Sequence, residues 1–166
     1  MKAGAGTQVI TPPVGTSLAG YFHDRVSTGV HDDLLAKALV LDNGKKKVAI
    51  VLCDLLWLQG EQVAEVRELA LKATGIPPEN IMISCTHTHT GPETRVKRPM
   101  VPVNDGYLAR LPQLIADSII RAEANLQPAV IRLGEEFEDR ISFNRRFLMK
   151  DGRVAFNPGK MNPDII

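Results

Sequence analysis

A mixed β-sheet with a parallel βαβ crossover and flanking helices, part of a larger layered α/β domain, is the fold that three features of this 166-residue sequence predict. Two β-branched and apolar runs meet at Asn43-Gly44 in "AKALVLDNGKKKVAIVLCDLLWL". An amphipathic stretch, "GEQVAEVRELALKATGIPPEN", comes next, and a third apolar run, "NIMISCT", follows it. Strand, helix and strand at this spacing make a parallel crossover, because parallel neighbours need a connection of a dozen residues or more.

The N-terminal segment "GTQVITPPVGTSLAGYFHDRVSTGV" opens as a short strand and continues as a long loop punctuated by Gly, Pro, Ser and Thr. Loops of that length in compact domains are usually functional or mobile. Strands over 36–42 and 47–54 are expected to form a hairpin, with Asn43-Gly44 supplying the positive φ angles of a type I′ turn. The helix over 61–74 places Val63, Val66, Ala70 and Ala73 on one face and stops at Gly75 ahead of Pro77-Pro78. The strand over 80–85 is almost continuously apolar, which predicts burial on both faces.

A second helix is expected over 107–125, with Leu108, Leu111, Ile115, Ile119, Ala122 and Leu126 in one stripe. Pro112 fits only in its first turn; elsewhere it would kink the helix. "AVIRL" at 129–133 reads as a strand, and "RISFNRRFLMKDGRVAF" as a hairpin turning at Lys150-Asp151-Gly152. The chain stops abruptly at "NPGKMNPDII", which suggests a fragment or a partial domain, so residues 1–166 are expected to be a single domain that is incomplete at its C-terminus.

With 44% hydrophobic and 23% charged residues, the composition suits one soluble domain with a sizeable core. Lys and Arg (20) nearly cancel Asp and Glu (19), so no global field favours nucleic acid or an anionic membrane. The longest apolar run, Val48 to Leu58, is broken by Asp54 and falls short of a transmembrane segment. "MKAGAGTQVITPP" lacks the apolar core of a signal peptide, so a secreted or periplasmic location would require a leader outside this sequence. Cys53 and Cys85 each end an apolar run and read as small buried hydrophobes, which leaves the compartment open. The oligomeric state is not legible in the sequence.

The chemistry concentrates in "SCTHTHTGPE", residues 84–93, in a chain with four histidines. If the strands over 47–54 and 80–85 run parallel, Asp54 and His87 arrive at the same sheet edge, where ligands of open α/β sheets collect. Asp54 then either caps its strand or orients a metal-bound His87 through the second ring nitrogen. In an extended chain His87 and His89 point to one side, so both could face one cation, or one could ligate while the other meets substrate. A zinc site needs three or more ligands, and the His-x-His pair supplies two at most. His23 and His31 read as solvated or loop-pinning residues; Arg145-Arg146 reads as a solvated pair or as a fork for a carboxylate or hydroxyl group.

At "NIMISCTHTHTGP" the sequence resembles the N-terminal domain of the neutral/alkaline non-lysosomal ceramidases, whose signature is a strand running into Thr-His-Thr-His-Ser-Gly-Pro. "VITPPVGTSLAGY", "GVHDDLLAKALVLDNG" and "SFNRRF…FNP" resemble three further family segments, in the family's order. The resemblance implies a zinc-dependent amidohydrolase that cleaves the N-acyl bond of a ceramide-like lipid amide, with Zn2+ as cofactor. It implies His87 as a zinc ligand, His89 and Arg145 as groups that contact substrate or the reacting oxygen, and Gly91, Pro92 and Glu93 along the substrate path. The family's other ligands, a histidine, a glutamate and a tyrosine, and its active-site serine lie downstream of the portion that 1–166 resembles. Glu93 stands where the family has glycine, and an acid beside a lipid path is unfavourable unless paired. That departure leaves open a smaller, more polar amide or ester as substrate, and the missing ligands leave open an inactive binding or assembly module.

Overall fold

The computed structural model describes residues 1–97, 99–159 and 161–166, which divide into two compact units, Met1–Val130 and Ile131–Ile166. The first unit is built on a five-stranded sheet in the order β4-β3-β2-β1-β5. Its strands are β1 (Lys2–Val9), β2 (Leu35–Asp42), β3 (Lys47–Cys53), β4 (Ile81–Cys85) and the two-residue β5 (Gln127–Pro128). The helices are α1 (Gly60–Thr74), a single turn α2 (Asp105–Leu108) and α3 (Leu111–Ala124). β1, β2 and β3 are antiparallel neighbours, and β3 and β4 are parallel, with α1 as the crossover. The α/β class and the mixed sheet are as the sequence predicts. Among the described residues no helix is long and apolar enough to cross a membrane.

The core lies between one face of this sheet and the two long helices. Ala36, Ala38, Val40, Ala49, Val51 and Ile81 from the sheet meet Val66 and Ala70 of α1 and Leu111, Ile115, Ile119 and Ala122 of α3. Each fully buried Val, Leu or Ile among them contributes about 2 kcal/mol. α3 lies directly on β1 because β1 has glycine where the helix passes. A Cβ on Gly4 would stand 2.1 Å from the Ala122 carbonyl oxygen, and one on Gly6 would stand 2.3 Å from that of Ser118.

Several sequence expectations need correction. β4 is buried on one face only, with Met82 54% exposed, because the helices cover just one side of the sheet. The expected 107–125 helix is two helices, and Pro112 sits in the first turn of α3, where it loses no hydrogen bond. Ala73 is exposed; the inward line of α1 runs through Gln62, Val66 and Ala70. The β2–β3 turn is not type I′ at Asn43-Gly44. Only Gly44 has positive φ (82°), and Asn43 N donates to Lys46 O at 3.2 Å, which centres the turn one residue later. Residues 129–133 form no strand, since pairing with β1 ends at Pro128. In the second unit, β6 (Arg146–Leu148) and β7 (Val154–Phe156) form the expected antiparallel hairpin.

Candidate functional site

The parallel pair β3 and β4 delivers both chains to one edge, and the pairing continues beyond the strands. Thr86 N donates to Cys53 O at 2.9 Å and His87 N to Leu55 O at 3.0 Å. At His87 the backbone turns into the left-handed region, with φ of 62°. A non-glycine residue is costly there and commonly marks a functional position. The segment is therefore not extended as the spacing argument assumed. His87 and His89 come together all the same, their ring centroids 5.2 Å apart and their planes edge to face.

The Nδ1 atom of His87 lies 3.1 Å from the carbonyl oxygen of Leu56. A carbonyl only accepts, so Nδ1 is the donor, and in the neutral ring the lone pair then sits on Nε2, the tautomer a metal ligand needs. The orienting role that the sequence offered to Asp54 falls at this nitrogen to a main-chain group. Asp54 instead accepts from Leu35 N at 3.0 Å, tying the end of β3 to the start of β2. Asp54, Thr88 and Thr90 also line a cleft of about 520 Å3 walled by residues of the 11–34 loop.

The same long loop builds the surroundings of His89. Ser17 pairs with Val26, and Leu18 N donates to Arg25 O at 2.7 Å, making a short antiparallel turn. This turn is pinned to the segment after the histidines, because Leu18 bridges Pro92 and Ala19 N donates to Gly91 O at 2.9 Å. At its tip the Tyr21 ring stands edge-on to His89 (5.7 Å) and to His23 (5.9 Å), and the Arg25 guanidinium covers the Tyr21 ring at 3.8 Å. Tyr21 was visible only as part of the Gly-Tyr match, and nothing in the sequence singled out Arg25. His31 stays apart, paired with Asp32 on the surface.

Gly91, Pro92 and Glu93 are all buried. Glu93 is 1% exposed, and its carboxylate turns inward. Trp57 Nε1 (2.8 Å), the backbone amides of Thr94 (3.1 Å), Arg95 (3.0 Å) and Met100 (3.0 Å), and the Arg95 guanidinium (Nη2, 3.2 Å) all donate to it. Arg95 in turn stacks on the Trp57 ring at 4.0 Å. Burial alone would push the Glu93 carboxyl up, but the donors from Arg95, Trp57 and Met100 outweigh it and hold the group below the usual carboxylate value. The acid is thus paired, which satisfies the condition under which a carboxylate is tolerated here.

Burial pushes the Cys53 thiol up to about 12 and that of Cys85 up to about 11, so neither is a nucleophile at neutral pH. Among the described residues no three His, Cys, Asp or Glu side chains converge to hold a metal ion. Arg145 belongs to the second unit, where its guanidinium lies 5.3 Å from the Phe156 ring centroid.

The family model described as "Neutral/alkaline non-lysosomal ceramidase, N-terminal" matches residues 1–148. Neutral ceramidase 3 of Arabidopsis thaliana is 31% identical over 142 residues, covering 80% of this chain and 19% of that protein. The fold is similar to that of the neutral ceramidase from Pseudomonas aeruginosa, with a TM-score of 0.67 and 26% identity over 76% of this chain and 22% of that one. A ceramidase structure described as complexed with C2 matches with a TM-score of 0.65 at the same identity and coverage. The chain therefore spans about a fifth of the length of the relatives it matches.

Proposed function

Because this chain belongs to the neutral/alkaline non-lysosomal ceramidase family, we propose that it supplies part of the active site of a zinc-dependent hydrolase that cleaves the N-acyl bond of a ceramide-like lipid amide. One observation carries the reading: His87 stands at the carboxyl edge of β3 and β4 with Nδ1 against the Leu56 carbonyl and Nε2 left for a ligand bond. His87 fits as one zinc ligand. The other ligands would come from residues outside 1–166.

Zinc, when bound, supplies Lewis acidity that polarises the amide carbonyl and makes a bound water a better nucleophile at neutral pH. The residues of this chain serve that chemistry in distinct ways. The Leu56 carbonyl fixes the tautomer of His87. His89, whose ring lies beside that of His87, is the group that meets substrate and donates to the oxygen on which charge develops. Arg145 is a second candidate for that role by its place in the Asn-Arg segment, and Asp54 shapes the sheet edge through Leu35. The inward turn of Glu93 removes the sequence-based ground for preferring a smaller, polar substrate.

The test is zinc content by elemental analysis, alongside hydrolysis of a long-chain ceramide, in a protein that joins these residues to the rest of a ceramidase-length chain. His87→Ala is expected to lose bound zinc and activity together. His89→Ala is expected to keep zinc and lower turnover by about 100-fold, the usual scale for one stabilising donor. Zinc content unchanged in His87→Ala would reject the ligand assignment.

A further inference from the structure

In the Proposed function, His89 does its work only if its imidazole is held in place, and the segment that carries it is irregular after Cys85. What holds it comes from the other side of the chain. A Cβ built on Gly20 would stand 2.6 Å from both Cγ and Nδ1 of His89 and 3.1 Å from its Cβ. The inner part of the imidazole thus packs against Gly20, in space that any side chain would fill. These are the inner atoms of the ring rather than a free end, so the clash cannot be relieved without moving the whole imidazole. Gly20 also takes φ of 97°, a conformation open to glycine at no steric cost.

The ring, exposed to solvent elsewhere, is flanked by Tyr21 and by His87, each edge to face. Arg25 joins the Tyr21 wall to the His89 main chain. Its guanidinium covers the Tyr21 ring at 3.8 Å, and its Nη2 donates to the main-chain oxygen of His89 at 2.5 Å. The Nε atom of Arg25 is buried and has no acceptor among the described residues. Leaving a guanidinium N–H unmet costs free energy, a cost set against the ring stack and the bond to the His89 carbonyl that hold the arginine here.

We infer that Gly20 and Arg25 are positioning residues for His89: Gly20 provides the surface on which the imidazole lies, and Arg25 clamps the His89 main chain and the Tyr21 ring beside it. The inference rests on the reading of His89 as the substrate-facing group, but its geometry is testable without activity. It also gives the long N-terminal loop a task, since the loop presents both residues from one short turn.

The experiment is aromatic NOE spectroscopy on the 166-residue chain, comparing Gly20→Ala, Gly15→Ala and Arg25→Gln with the parent. Gly15 is the control: it has φ of 93° in the same loop, but a Cβ there meets nothing within 4 Å. Gly20→Ala is expected to abolish the NOEs between His89 and Tyr21 and to shift the His89 ring signals, while Gly15→Ala leaves both in place. Arg25→Gln is expected to weaken those NOEs at least twofold with the fold intact, and it decides the matter if Gly20→Ala does not fold. Unchanged His89–Tyr21 NOEs in Arg25→Gln, or equal loss in the two glycine variants, would overturn the inference. In a ceramide-hydrolysing, zinc-bound protein that contains these residues, Arg25→Gln is expected to lower kcat about tenfold with zinc content unchanged. Loss of zinc in that variant would instead count against a role confined to His89.

Discussion

Glu93 shows how far the environment of one residue can reverse its reading. As a letter beside a Gly-Pro turn it is an acid on a lipid path; as a side chain it is a buried anchor that meets Trp57, Arg95 and three backbone amides. The partners that decide this include Trp57, 36 residues away, and no local pattern announces them. Replacing it by Gln keeps the shape but sets an amide N–H2 against donors, and should cost about 2–3 kcal/mol in chemical denaturation. The pH dependence follows from the lowered folded value. The carboxylate binds protons less readily folded than unfolded, so its contribution is full above the unfolded value of 4.5 and is lost as pH falls through the lower folded one. Acid denaturation curves should therefore be shallower below pH 4.5 in Glu93→Gln than in the parent; equal slopes would show that Glu93 does not titrate with folding. The site histidines were legible to different degrees. The His-x-His spacing drew attention to His87 and His89 correctly as a pair, but the orienting group of His87 is a carbonyl, which every residue carries and no sequence can single out.

At the level of elements, the hairpin, the crossover and both long helices were legible because each rests on local signals: alternation, 3.6-residue periodicity, Gly75 and the prolines after it. The misreadings share one cause, which is that burial is set by neighbours. β4 looks buried on both faces but has helices on one only, and residues 129–133 have strand composition with no partner beyond Pro128. The beginning of β1 was missed for the opposite reason, since "KAGAG" is a poor strand by propensity and is a strand because α3 needs its glycines. Gly6→Ala should destabilise the first unit by about 3 kcal/mol, the scale of overpacking in a close-packed core. Gly60→Ala, at the first turn of α1 where a Cβ meets nothing within 4 Å, should stabilise it by about 0.5–1 kcal/mol. Thermal unfolding that moved both variants in the same direction would contradict this account of β1.

For the molecule as a whole, the sheet has one covered face and one open face. On the open side Leu39, Ile50 and Met82 lie in a row across three strands, with Leu52 on the next row, each between 39% and 54% exposed. Clustered apolar exposure of this kind is uncommon on isolated soluble domains. The 166-residue chain should bind the dye ANS while folded, and Ile50→Lys should reduce that binding several-fold with little change in melting temperature, because Ile50 has no core contact to lose. Dye binding unaffected by Ile50→Lys would place the apolar surface elsewhere. The chain contains a single tryptophan, Trp57, and its indole is bonded to buried Glu93 and covered by Arg95. Its emission therefore has one structural origin. Since the amides of Thr94, Arg95 and Met100 are tied to the same carboxylate, and Gly91 and Pro92 just before it to the loop that carries Gly20 and Arg25, the protein carries a native optical probe of the segment beside its histidine pair, and ordering or loosening there can be followed without a label.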